Sequence, residues 1–410
     1  MPDKREFDVV LYGATGFTGC QTVRYFTKFA PPDLKWAIAG RNQSKLEALH
    51  GGVPAIVADS SDQPAIDKLV EQTRVLLTTA GPFALYGTGI VDACVRFRTH
   101  YCDITGETPW VRGLIDRYHH KAAAEGTRLI PSSGFDSVPS DLGAMLIAGA
   151  LGPQTATVKA FFQMSGGLNG GTLASALNMA ETGADKLMRD PFLLSPLIQR
   201  PLKDLESDPT GAVFDEDAKT WVAPFLMSAI NTRVVRRSCQ ILGVDFAYQE
   251  YLKMHGSMAG PLAVGVAAGS ALFQAGLRWA QFRQLMRAVA PAPGTGPSPK
   301  TMDDGWFRCE FVGQASDGRT ARALIADKGD PGNRVTVKCL CESALALALD
   351  ELPARAGFLT PSTGLGDALV KRLRSRGMEL SVSLTLGSKG NSGAMGGGPI
   401  WPGNIPKQRS

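Results

Sequence analysis

The chain is poor in the residues that hold metals. Five histidines and seven cysteines are spread over 410 residues. None of the cysteines (Cys20, Cys94, Cys102, Cys239, Cys309, Cys339, Cys341) forms a CxxC pair, so no zinc cluster and no metal site are predicted. An apolar leader is missing too: Met1 to Asp8 carries five charged residues. With an odd number of cysteines, this predicts reduced thiols and a cytoplasmic protein. Excess charge is scarce. Lys and Arg number 43 against 38 Asp and Glu, a net +5. That suits an anionic cofactor or lipid surface, and it is too small and scattered for nucleic acid. No internal repeat occurs.

What the sequence has in quantity is glycine, 46 residues, and its placement near the start is informative. The apolar run Val9-Val10-Leu11 leads into Gly13, Gly16 and Gly19, spaced three apart. Such a run reads as a buried parallel strand. Gly13 permits the tight turn, Gly16 lets a pyrophosphate approach the backbone, and Gly19 lets the next helix pack closely. The helix start then offers free N–H groups to phosphate. The loop Gly13, Ala14, Thr15, Gly16, Phe17, Thr18, Gly19 is thus a candidate dinucleotide cradle.

The second strand candidate, Lys35 to Ala39, is followed by Gly40 and Arg41 where an NAD site usually carries an acidic residue. A guanidinium there fits a 2′-phosphate, with Ser44 and Lys45 able to add contacts. The reading is NADP(H). Further strands are expected at Ala55–Asp59, Arg74–Phe83, Tyr101–Glu107 and Arg128–Asp136. Asp59 falls near the adenine edge, and Ala80, Gly81 and Pro82 near the nicotinamide-side ribose. Helices are expected between the strands, for example around Gly87–Phe97 and Val111–Glu125. This alternation predicts an α/β fold with a doubly wound parallel Rossmann sheet. Short-chain dehydrogenases share such a start but need Tyr four residues before Lys. No tyrosine here has that spacing, and Tyr118 meets Lys121 at three.

The ordered motifs GATGFTG, AGR, TAGPFALYG, YCDITGE and GFDSVPSDLG resemble the saccharopine dehydrogenase-like NADP-binding oxidoreductases. Within that group the similarity points to the bacterial trans-acting enoyl reductase branch. GGTLASAL (170–177) and GFLTPSTGLGDALVKRL (357–373) agree with it. The resemblance covers the chain to about residue 385 and implies an NADPH-dependent reductase. The substrate it implies is an enoyl chain of lipid or polyketide type, a small molecule or carrier-bound, reduced in trans. The alternatives are a catalytically silent NADP-binding module attached to a membrane or synthase, and a saccharopine-type amino-acid-adduct dehydrogenase. The last needs a carboxylate-binding arginine pair, for which Arg233, Arg236 and Arg237 form the local cluster.

The Rossmann unit is expected over residues 1–140. A second, α+β domain with a mainly antiparallel sheet is expected over 141–345, with strands near Thr157–Gln163, Phe307–Gly313, Thr320–Ile325 and Arg334–Cys339. Helices over 346–386 should return to the Rossmann unit, and 387–410 reads as a flexible tail. Catalytic candidates belong at the C-terminal ends of the parallel strands. Asp136 or Ser137 could orient the carboxamide or relay a proton, although Asp136, Ser140 and Asp141 also suit a helix cap. Tyr86 faces or flanks the nicotinamide site. Tyr248 and Tyr251 could donate a proton or pack in the core. His100 reads as structural, and His119 and His120 as exposed. Finally, Ser257–Leu277 has no charged side chain and is followed by Arg278, Trp279, Arg283 and Arg287. It suits a buried helix at a homodimer contact, a peripheral contact with the inner face of the membrane, or a span.

Overall fold

In the computed structural model, residues 5–49, 52–167, 170–289 and 294–385 are described. Six strands of the first half run parallel: β1 (Phe7–Tyr12), β2 (Trp36–Gly40), β3 (Ala55–Val57), β4 (Thr73–Thr78), β5 (His100–Asp103) and β6 (Arg128–Ile130). The second half adds β7 (Thr155–Ser165), β8 (Val213–Asp215), β9 (Thr220–Pro224), β10 (Ala247–Lys253), β11 (Trp306–Ala315), β12 (Thr320–Lys328), β13 (Gly357–Phe358) and β14 (Glu379–Thr385). The parallel sheet has the order β13-β6-β5-β4-β1-β2-β3, the doubly wound arrangement with one late strand added at the β6 edge. In β1, Val9 and Leu11 enter one core while Val10 and Tyr12 enter the core on the opposite face. Burial on both faces is why this strand reads as an unbroken apolar run.

The second sheet has the order β14-β12-β11-β7-β10-β9-β8. All its neighbours are antiparallel except β7 and β10. The helix Val138–Leu151, buried along nearly its whole length, lies against it. Two glycines allow the close approach. A Cβ on Gly143 of the helix would stand 2.1 Å from the Phe311 ring of β11. One on Gly313 of β11 would stand 2.1 Å from the Ile147 side chain of the helix. The core on this face runs from Val9 and Leu11 to Phe162 and Phe307 as one cluster.

The structure differs from the sequence expectation at the C-terminal side. Arg334–Cys339 is not a strand. It spans a π-turn, Pro331–Val335, and the start of the helix Thr336–Leu349. That helix packs against β1, β4 and β5, so the return to the Rossmann unit begins before residue 346. The return is also not wholly helical: β13 joins the parallel sheet, while β14 joins the second sheet beside β12. Residues 387–410, read as a tail, lie outside the described residues.

Gly143→Val should force the branched side chain into the Phe311 ring. Overpacking of this kind costs about 1–3 kcal/mol. A urea titration is expected to show a lower midpoint with an unchanged slope. An unchanged midpoint would mean that the helix does not lie on β11 in this way.

Candidate active site

The glycine loop leaves β1 through Gly13, which has φ +83°, and turns into the helix Phe17–Phe29. The N–H groups of Gly13 and Ala14 donate to the Ala39 carbonyl of β2, and that of Gly16 to the Gly13 carbonyl. The tightest approach is at Gly19. A Cβ there would lie 2.1 Å from the Gly13 oxygen and 2.8 Å from the Ala14 carbonyl. Gly16 is different: its Cβ position is open, with only the Gly13 oxygen at 3.4 Å. No side chain caps the helix start, so its partial positive charge faces an open space. Phe17 is covered from the other side by Gly296, which could not carry a side chain without striking its ring.

At the end of β2, Arg41 and Lys45 are exposed, and Lys45 N–H donates to Asn42 Oδ1 at 3.0 Å. Asp59 follows β3 and accepts from the Ser61 backbone and hydroxyl at 2.9 and 2.8 Å. These bonds, with a smaller contribution from Arg41, hold its carboxyl below the usual range. Burial pushes the Tyr12 hydroxyl up, and Ser60, Asp59 and Arg41 all act on it. Arg41, Asp59 and the end of β1 therefore share one corner of the sheet's C-terminal edge.

The β4 exit passes Ala80 and Gly81, crosses a cis bond to Pro82, and forms the short helix Phe83–Tyr86. Ala80 touches the space beside Gly13, which joins this loop to the glycine cradle. The short helix is fixed by a residue that sequence reasoning missed. Glu107, buried after β5, accepts the N–H groups of Phe83 and Ala84 at 2.8 and 2.9 Å and the Ser175 hydroxyl at 2.8 Å. Tyr86, at the helix end, is exposed. Asp103, fully buried, bridges neighbouring exits. It accepts from the Thr105 and Ser132 backbone at 2.9 and 3.0 Å and from the Tyr101 hydroxyl at 2.6 Å. Burial nonetheless pushes it up to about 6. The YCDITGE spacing, two carboxylates four apart straddling a strand end, was the available signal for both.

Asp136 stands in the β6 exit loop with part of its surface open. Protein around its carboxyl pushes the pKa up to about 6, with no charged neighbour contributing. The helix-cap alternative does not hold. Ser137 is the N-cap, without a side-chain bond, and Asp141 instead accepts from the Ser238 hydroxyl and the Ser362 N–H. Tyr248 is fully buried and donates to Glu250 at 2.7 Å, and Asn231 donates to the other Glu250 oxygen at 2.9 Å. Burial pushes Glu250 up to about 7. Through Asn231 this group reaches the Ser137 hydroxyl at 3.4 Å. Tyr248 is thus a buried partner of Glu250, not a group open to substrate, and Tyr251 stacks on Phe161. The arginine cluster is also internal. Arg233 makes a two-pronged pair with Asp208, Arg236 holds three carbonyls, and Arg237 donates to the Phe358 carbonyl. His100 accepts from the Arg128 N–H, as a structural residue should. His119 is half-buried, not exposed, and accepts from the Phe358 N–H.

Comparison with known proteins now decides the family. Residues 9–130 match the saccharopine dehydrogenase NADP binding domain. A Mycobacterium tuberculosis protein is 36% identical over 414 residues, covering 92% of this chain and 98% of its own length. A trans-acting enoyl reductase of Mycobacterium bovis is 33% identical, covering 93% and 99%. One of Mycobacterium ulcerans is 33% identical, covering 93% and 98%. The chain belongs to the saccharopine dehydrogenase-like oxidoreductases, in their trans-acting enoyl reductase branch. It binds NADP(H) and is an NADP-dependent oxidoreductase. Among solved structures, apo saccharopine dehydrogenase of Saccharomyces cerevisiae overlaps with a TM-score of 0.48 at 12% identity, over 92% of this chain and 99% of that one.

The motifs of this reductase family lie along one edge. GATGFTG is the cradle, AGR ends β2, TAGPFALYG is the β4 exit, YCDITGE places Asp103 and Glu107, and GFDSVPSDLG carries Asp136. The open Cβ position at Gly16 and the uncapped helix start fit a pyrophosphate. The cradle yields a stability test. Gly19→Ala should lower stability by about 1–3 kcal/mol, because the Gly13 carbonyl must move, whereas Gly16→Ala should be nearly neutral. Thermal unfolding compares them, and equal shifts would contradict this loop geometry.

Proposed function

We propose that this oxidoreductase reduces the carbon–carbon double bond of an enoyl substrate of lipid or polyketide type, acting in trans on a free or carrier-bound chain. Its relatives carry the name, and the observation that carries the reading is Asp136. It is a carboxyl with a raised pKa, free of cationic neighbours, at the same strand edge as the cradle. An adduct dehydrogenase would need arginines open to a substrate carboxylate. The three candidates here are spent on Asp208 and on backbone carbonyls, which argues against that alternative.

In this reading Gly13, Ala14, Thr15, Gly16, Phe17, Thr18 and Gly19 hold the pyrophosphate. Arg41 and Lys45 hold the 2′-phosphate, and Asp59 borders the adenine. Ala80, Gly81 and Pro82 line the nicotinamide side, near Tyr86. Bound NADPH supplies a hydride for the β-carbon. Asp136, protonated, gives its proton to the α-carbon and is reprotonated from water. Glu107 and Asp103 hold the β4 and β6 exits so that the loops keep their places. Tyr248, Glu250 and Asn231 position Ser137 beside the acid.

Three measurements test this. Gly16→Val should abolish NADPH binding in a titration while leaving the circular dichroism unchanged, because its side chain fills the pyrophosphate space. A folded variant with full affinity would place the phosphates elsewhere. Arg41→Ala should weaken NADPH by about 1–3 kcal/mol and leave NADH unchanged. Equal losses would remove Arg41 from the 2′-phosphate. Finally, an acid must be protonated to act, so kcat with an enoyl thioester should fall as pH rises through about 6. Asp136→Asn should cost about 10²–10⁴-fold and erase that limb. A variant with the parent's profile would exclude Asp136 as donor.

A further inference from the structure

The helix Ala259–Gly276 is 18 residues long and, by length and composition, apolar enough to cross a bilayer, yet only 17% of it is buried. Its buried residues are few and small: Ala259, Ala263, Ala267 and Gly276. The helix rests on β9 and β8, with Gly260 against the Trp221 ring. The rest points outward, including Leu262, Val264 and, 73% exposed, Leu272. After the corner at Trp279, 70% exposed, the helix Ala280–Val289 adds Leu285 and Val289. Phe273 and Phe282 pack edge to face across the corner, with ring centres 6.1 Å apart. An outward apolar surface this continuous is rare on a monomer without a partner.

The charge around it is one-sided. From Tyr251 to Met302 the sequence has no Asp or Glu and five cations: Lys253, Arg278, Arg283, Arg287 and Lys300. The remainder of the chain therefore carries 38 cations and 38 acidic groups. The net +5 is not scattered; it belongs to this segment. Arg283 and Arg287 face Glu181 on the helix Gly170–Thr182, while Arg278 is exposed beside Trp279. Three of the five cations are thus paired, Lys253 with Glu310 and Arg283 and Arg287 with Glu181; the exposed Arg278 and Trp279 at the border of the apolar face are what match an anionic lipid surface.

The segment is also tied to the active site through its C-terminal part. Glu181 belongs to the helix whose Ser175 donates to Glu107, the residue that fixes the β4 exit. Just after it, Gly296 covers Phe17 of the cradle, and Pro297 closes on Gly167.

We propose that Ala259–Val289 is a membrane-docking arm that lies flat on an anionic bilayer. It would seat the active-site edge against the surface that holds a long-chain substrate. The contact with β8 and β9 keeps the arm in the interface: a spanning helix would have to leave that sheet. The lipid-borne substrate rests on the enoyl reduction proposed above, but docking itself does not.

The test is flotation of the full-length protein with vesicles of phosphatidylglycerol and phosphatidylcholine in equal parts, against phosphatidylcholine alone. The protein should float with the anionic vesicles at low salt and be released at high salt. Arg278→Gln should lower partitioning about fivefold, and the pair Leu272→Glu, Trp279→Glu should abolish it. NADPH affinity should stay unchanged in each variant, which reports the fold and keeps this result separate from failure of the cofactor or substrate reading. Protein left unbound by anionic vesicles would overturn the proposal. If light scattering then shows a dimer that Leu272→Glu splits, the face serves a second copy of the chain.

Discussion

A single carbonyl sets the geometry on which the site depends. The Gly13 oxygen occupies the space where any side chain at residue 19 would begin, at 2.1 Å, so the first helix can come down onto the turn only with glycine there. That contact fixes how far the helix start stands from β1. The Gly16 side stays open, and Ala80 of the β4 exit lies against Gly13. The glycine turn and the β4 exit therefore meet within the same few ångströms of backbone.

The other exits are held by buried carboxylates in different roles. Glu107 accepts two backbone N–H groups of the β4 exit, and Asp103 accepts from the β5 and β6 exits. A buried acid with such partners is a strut, costly to remove because its donors would be left unsatisfied. Asp136 sits one loop further on and is not spent on a strut. Asp103 and Asp136 are both pushed up to about 6 by burial, so pKa does not tell them apart. Occupation does: the Asp103 carboxyl is saturated with hydrogen bonds, whereas the half-buried Asp136 has no side-chain hydrogen bond among the described residues.

The parallel sheet was legible in the sequence because its strands are buried on both faces. Val9–Leu11 and Val75–Leu77 show as plain apolar runs bounded by glycine and polar residues. In the second sheet, β11 was legible through the alternation of Phe307, Cys309 and Phe311. β10 was not, since its buried residues include Gln249 and Glu250, which mask the pattern. Arg334–Cys339 reads as a strand from Val335, Thr336 and Val337, and becomes helix because it packs on the first sheet; local β preference yields to that contact. β14 carries a clear alternation, Leu380, Val382 and Leu384, hidden by its place after a helix. Within the site, the turn out of β1 at Gly13 and the helix that follows were readable from the glycine spacing. The roles of Glu107, Asn231 and Glu250 were not, because each depends on a partner at least 19 residues away.

In the proposed reaction this edge delivers a hydride and a proton to the two carbons of one double bond. Product mass analysis tests it most directly, with a long-chain 2-enoyl thioester and NADPH turned over in deuterated water. The expected outcome is a saturated product with one solvent deuterium at the α-carbon and none at the β-carbon, and one NADPH oxidised per product. NADPH bound but never consumed, or solvent deuterium appearing at the β-carbon, would contradict it.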